Sequence, residues 1–150
     1  MKFSDSPVVA WLAVRLPQGV AWVIAVVLGW AGVVKAADPH AFTKAIENFR
    51  LVEGAAAGVL AYYVPWLEIV VAVGLLFTRW RKAAAYVALL LLIAFTVLLA
   101  SAQWRGLNVA CGCFGASDKM QTTAFGWLYL RNGLLVAGAY FLIKSTRIEP

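Results

Sequence analysis

From Ala83 to Trp104 the chain carries no charged residue. At a rise of 1.5 Å per residue, a helix of that length crosses the roughly 30 Å hydrocarbon core of a bilayer. A second charge-free run lies between Arg15 and Lys35. In hydrocarbon the backbone polar groups of such a run must be satisfied within the segment, so both runs are expected to be spanning helices. The composition agrees: 63% of the 150 residues are hydrophobic and 13% charged, with a mean hydropathy of +0.82, against about 25% charged in a soluble domain. The net charge of +6 does not point to nucleic acid. The Lys and Arg residues stand singly or in small groups at the ends of apolar runs, as membrane orientation and anionic headgroups require. The expected partner is the lipid bilayer, and seven Trp and five Tyr suit anchoring at its interfaces.

Taken in order, the chain reads as one all-α membrane domain over 1–150. Pro7 suits the first turn of a surface helix capped by Ser6, and Pro17 is expected to end it. The first span is 18–37. Lys35 interrupts the small-residue pattern of a cleavage site, so this span is expected to stay uncleaved. Asp38 and Pro39 then start a new helix as cap and first residue. Its apolar residues Phe42, Ala45, Ile46, Phe49 and Val52 recur at helical spacing, opposite His40, Lys44, Glu47, Asn48 and Arg50. It is expected to lie in the membrane interface. The second span is 58–78, with Pro65 expected to kink it. The basic turn Arg79-Trp80-Arg81-Lys82 leads to the third span, 83–102. A long loop over 101–122 precedes the fourth span, 123–143. Four spans with short connections make an antiparallel four-helix bundle, whose helices would approach at Gly29, Gly32, Gly74, Gly133 and Gly138.

Both cysteines, Cys111 and Cys113, lie in the long loop with Gly112 between them. Two thiols at this spacing can close a small, strained ring, and glycine eases the backbone limits on closure. Strained, exposed disulfides are the redox-active ones. The plainer alternative is a pair of inert cysteines in a glycine-rich turn. Arg105 and Lys119 flank the pair and could favour a thiolate, or simply solvate the loop. Zinc-ligand spacings, phosphate loops and paired catalytic carboxylates are absent, so no metal is expected, and His40 reads as a solvated helix start.

Three ionisable residues fall within or at the ends of spans: Lys35, Glu68 and Arg131, the last followed by Asn132. A charge at the centre of a spanning helix costs about 2.5–3.5 kcal/mol on insertion scales, so such residues usually serve a purpose. Glu68 is expected near the midplane, Arg131 on the side of the cysteine loop, and Lys35 near that same face, where it can snorkel outward. These residues would form a polar pocket beneath the cysteines that handles protons or holds a small polar or quinone-like molecule. Alternatively, a Glu68–Arg131 ion pair fixes helix register. Glu68 is expected to face the bundle interior and to approach Arg131, Lys35 or both.

The stretch Gly29–Pro39 with its Lys35, the Pro65–Glu68 motif, the Cys111–Gly115 loop and Arg131-Asn132 occur here in one order. In this the chain resembles the methylamine-utilisation MauE family, within the DoxX-like group of small four-span membrane proteins. The resemblance covers about 19–141. It implies an inner-membrane protein that supports maturation of a disulfide-rich periplasmic enzyme alongside a thioredoxin-like partner. Many family members carry an acidic residue before the first cysteine; here that position is Ala110.

Together these features suggest a thiol–disulfide oxidoreductase of the inner (plasma) membrane, with Cys111 and Cys113 as the redox pair. A single pair cannot pass electrons across the membrane, so a quinone or another carrier would be needed. Two other classes stay open: a carrier or binding protein for a small substrate or sulfur species, using Lys35, Glu68 and Arg131, and a structural assembly factor. Lys2, Arg15, Arg79, Arg81, Lys82, Lys144 and Arg147 would share one side. Lys35, Lys44, Arg50, Arg105, Lys119 and Arg131 would share the other. With the dense Arg79–Lys82 turn inside, both termini are expected in the cytoplasm and the cysteine loop in the periplasm.

Overall fold

The computed structural model describes residues 7–106 and 125–145. Among them are five helices and no strand: α1 (Pro7–Ala37), α2 (Pro39–Asn48), α3 (Ala55–Leu76), α4 (Arg81–Trp104) and α5 (Phe125–Ser145). Three are long and apolar enough to cross a membrane: Arg15–Ala37 within α1, α3 and α4. The chain is therefore an all-α membrane protein. Helix α5 would reach about 31 Å by its length, but Arg131 and Asn132 in its first half lower its apolar character.

Pro17 does not end the first helix. Helix α1 runs through it without a break, and Pro17 is buried. Proline removes only one backbone donor and its fixed φ is already helical, so a helix held by packing on either side can carry it. Helix α3 likewise continues through buried Pro65.

Each of α1, α3, α4 and α5 packs on two of the others, α1 with α3, α3 with α4, α4 with α5 and α5 with α1. The core where they meet is built from small and aliphatic residues, with Ala21, Ala85, Ala88 and Ala139 fully buried beside Ile24, Leu75, Leu92 and Leu142. Small residues let the backbones come close, which drives helix association where lipid is as apolar as the side chains. A Cβ on Gly29 would touch Ala72 at 3.4 Å, one on Gly74 would meet Ala84 at 3.1 Å, and one on Gly138 would meet Val20 at 3.1 Å. Gly133 departs from the expectation, since it faces open space. The outward surfaces remain apolar, as at Val26, Val70, Leu90 and Leu134, which suits contact with lipid.

Helix α2 forms as its residues dictate. The Asp38 carboxylate accepts from the Ala41 N–H at 2.9 Å, and Pro39 occupies the first turn. Its buried residues Phe42 and Ala45 cluster with Ala61 of α3, with Ile46 and Val64 packed against them. His40, Lys44 and Asn48 stay exposed. Within the basic turn, Arg81 is buried and its Nε donates to the Leu75 carbonyl at 3.1 Å. It thus satisfies an orphan acceptor at the end of α3, where a cation also suits the helix dipole.

Candidate functional site

The bundle interior holds charge. Lys35 Nζ donates to Glu68 Oε1 across 2.6 Å, and both side chains are within 2% of full burial. Their Cβ atoms lean toward the start of their own helices, as helical geometry requires, and this lets them meet across the α1–α3 contact. Gly32 makes the meeting possible: a Cβ there would lie 3.2 Å from Glu68 Cβ. Lys35 therefore does not snorkel outward. A buried carboxylate on the facing helix, together with two aromatic faces, satisfies its ammonium inside the protein. Its Nζ lies 4.4 Å from the centroid of the Phe95 ring and 5.3 Å from that of Phe42, both within cation–π range.

Glu68 Oε2 is buried and has no hydrogen-bond partner among the described residues. A cavity of about 40 Å³ is lined by Lys35, Glu68, Arg131 and Asn132, with Phe95 and Leu92 among its apolar walls. The four ionisable and amide residues singled out from the sequence thus line one space. That volume accommodates a water or a species of similar size, and is too small for a quinone ring. Asn132 is buried, and its Nδ2 donates to Thr96 Oγ1 at 3.5 Å, while the Thr96 hydroxyl donates to the Leu92 carbonyl at 2.7 Å. Of the two partners expected for Glu68, Lys35 is the one that forms the ion pair, with Arg131 beside the same cavity.

Depth follows from helix rise. Glu68 is about 20 Å from the start of α3 and about 12 Å from its end, past the middle of the helix. Thr96 lies about 12 Å before the end of α4, and Asn132 about 10 Å after the start of α5. These two helix ends bracket 107–124, the segment with Cys111 and Cys113. Both cysteines, and Lys119, lie outside the described residues.

Arg105 is described, and its guanidinium is engaged. Nε donates to the Ser101 carbonyl at 3.3 Å, Nη1 to the Arg50 carbonyl at 3.3 Å, and Nη2 to the Phe49 carbonyl. It ties the end of α4 to the end of α2, a contact beyond the thiolate-tuning or solvating part expected for it, while the loop it would act on lies outside the described residues. Sequence reasoning places Phe42 only on the apolar face of its helix and does not single out Phe95 or Thr96. Thr96 carries a weak signal, as a hydroxyl in a nearly uniform aliphatic span. Phe95 carries none, because phenylalanine in an apolar helix is ordinary.

Residues 8–145 match the model of the family described as methylamine utilisation protein MauE. The chain is 34% identical over 137 residues to a "Methylamine utilization protein MauE" of Paracoccus denitrificans, covering 90% of this chain and 68% of that protein. It is 28% identical over 127 residues to one of Methylophilus methylotrophus (84% and 66%), and 31% identical over 125 residues to one of Methylorubrum extorquens (82% and 66%). The chain thus spans about two thirds of the length of these curated relatives. No solved structure matches it.

Proposed function

The chain belongs to the MauE family, and on that premise we propose that it is a thiol–disulfide protein of the bacterial inner membrane serving methylamine utilisation. In this reading Cys111 and Cys113 alternate between dithiol and disulfide. Their disulfide accepts two electrons and two protons from a thioredoxin-like extracytoplasmic dithiol, which becomes a disulfide, or the dithiol delivers them in the reverse direction. A thiolate attacks one sulfur, a mixed disulfide forms, and the second thiolate of the donor releases it. Passage of the electron pair into the membrane requires a lipid-soluble acceptor of the quinone class, with quinone and dithiol giving quinol and disulfide.

The observation that carries this reading is the position of the buried Lys35–Glu68 pair. It lies inside the bundle against Phe95, about 13 Å along α4 from the end that leads to the cysteine segment, on the half of α4 nearer those cysteines. Ion pairs are costly to bury, and a hydrophobic pair of similar volume often serves stability as well or better. A pair placed there, with one buried carboxylate oxygen that makes no hydrogen bond among the described residues and a small cavity beside it, suits a group that exchanges protons as thiols open and close above it. The same reading has α5 as a fourth span and the bundle antiparallel. For α1 and α3 the order of contacts supports an antiparallel arrangement, since Gly29 meets Ala72 while Gly32 meets Pro65 and Glu68. Helix α2 then lies at the periplasmic interface, and both termini lie in the cytoplasm.

The cavity volume favours one alternative specifically. A space for a water-sized species, with an acceptor oxygen in its wall, fits a binding protein for a small sulfur species better than one for a bulky substrate. A Cys111→Ser, Cys113→Ser double variant separates the two. Under thiol exchange it loses all support of the partner's redox state. As a binding protein working through Lys35 and Glu68, it retains part of its activity, and Glu68→Gln is the more damaging change.

A further inference from the structure

Helices α2 and α4 both pack on α3, and two bridges among the described residues link them. At one, the Lys35 ammonium sits between Phe42 of α2 and Phe95 of α4. At the other, Arg105 donates to the Phe49 and Arg50 carbonyls at the end of α2. Between these two bridges is a pocket of about 250 Å³, floored by Leu60 and Val64 of α3 and walled by Ile46, Phe49, Ala94 and Leu98. Every residue around it is apolar. An acyl chain seated there makes dispersion contacts along its whole lining. In a membrane protein the neighbouring solvent is hydrocarbon, and the lining offers no partner for a polar head.

The rim at one end is charged. Phe49, Leu51 and Val52 line the pocket while Arg50 between them is exposed, and the Arg105 guanidinium sits on the same turn. Against these two cations stand Glu53 and Glu47, and Glu47 Oε1 is already taken by the Gly54 N–H at 3.3 Å. We propose that this pocket is a site for one anionic phospholipid, with an acyl chain between α2 and α4 and the phosphate at Arg50 and Arg105. The lipid fills the gap beside Phe95, so it props the wall that separates the pocket from the Lys35–Glu68 cavity. This site is independent of the thiol chemistry above.

The test uses the full chain, purified from nanodiscs made of equal parts phosphatidylglycerol and phosphatidylcholine, with bound lipid read by native mass spectrometry. One phosphatidylglycerol per chain is expected to persist through purification. Ala94→Trp fills the groove and should abolish retention, while the melting temperature in the same detergent shows that the fold survives. If that variant does not fold, Leu60→Trp obstructs the same groove from α3. Arg50→Gln keeps the backbone carbonyl that Arg105 binds, so it should retain a lipid but lose about five-fold of the preference for phosphatidylglycerol. The proposal is overturned if no lipid is retained, if groove-filling variants retain as much as the parent, or if the retained lipid shows no headgroup preference. It is equally overturned if a prenylquinone displaces the phospholipid from the pocket.

Discussion

Gly32 sits so close to Pro65 that a Cβ on it would lie 2.8 Å from the Pro65 carbonyl oxygen and 2.9 Å from Ile69 Cγ1. This contact of backbone on backbone sets the distance between α1 and α3, and with it the reach that Lys35 needs to meet Glu68. It also makes two glycines on one helix behave oppositely. Gly32→Ala must push the helices apart, and overpacking of this kind costs about 1–3 kcal/mol. Gly29→Ala would make only an ordinary contact with Ala72 at 3.4 Å, and alanine is favoured over glycine in a helix by up to about 1 kcal/mol. Thermal melts in detergent should show Gly32→Ala below the parent and Gly29→Ala level with it or above. Equal melting temperatures for the two would mean that the contact at Gly32 does not govern packing.

Removing one partner of the Lys35–Glu68 pair strands the other in a dry interior, a loss of about 3–5 kcal/mol. Lys35→Met and Glu68→Leu should each lower stability by that order, and the double variant should recover most of it, because the two residues are coupled. The same double variant separates structure from chemistry. If the pair only fixes register, restored folding restores function. If it exchanges protons, the double variant folds and remains inactive in a complementation assay.

Much of this architecture is legible in the residues themselves. Asp38-Pro39 announces the start of α2, and the charge-free runs announce α1 and α4. What fails is whatever depends on azimuth or on distant partners. Pro17 was expected to end a helix, because local preference does not register the packing that carries α1 past it. Depth along its helix leaves Lys35 either snorkelling outward or meeting Glu68, because depth alone cannot tell an outward turn from an inward one. Its true environment depends on Glu68 and on the rings of Phe42 and Phe95, which come from three other helices. Arg105 finds its acceptors on the far end of α2, a contact no local pattern encodes. Gly133 shows the same limit: small-residue composition marks where helices can touch, while only the assembled bundle decides which faces do.

Orientation in the membrane yields a third prediction. Lys and Arg near the spans divide almost evenly between the two sides, but the Arg79–Lys82 turn is short and dense, the arrangement to which the positive-inside rule is most sensitive. With that turn in the cytoplasm, Cys111 and Cys113 face the periplasm. After reduction, both should react with a membrane-impermeant maleimide in intact cells. Labelling only after the inner membrane is opened would reverse the orientation and remove access to any extracytoplasmic partner.

The cysteine pair itself gives the sharpest prediction. Ring closure across Gly112 is permitted by spacing, but a relaxed disulfide geometry is hard to reach between residues so near in sequence. A strained bond has a more oxidising potential than a structural disulfide. Titrated against glutathione buffers and read by mass-shift labelling of free thiols, the pair should convert between dithiol and disulfide at a poise where a structural disulfide stays closed. Single variants then assign roles. Cys111→Ser and Cys113→Ser should each abolish exchange, and the one that retains the attacking thiol should accumulate a mixed disulfide with a thioredoxin-like protein, since the resolving sulfur is gone. Thiols that never pair at any poise, or full complementation by the double serine variant, would leave the thiol-exchange mechanism without its reacting atoms.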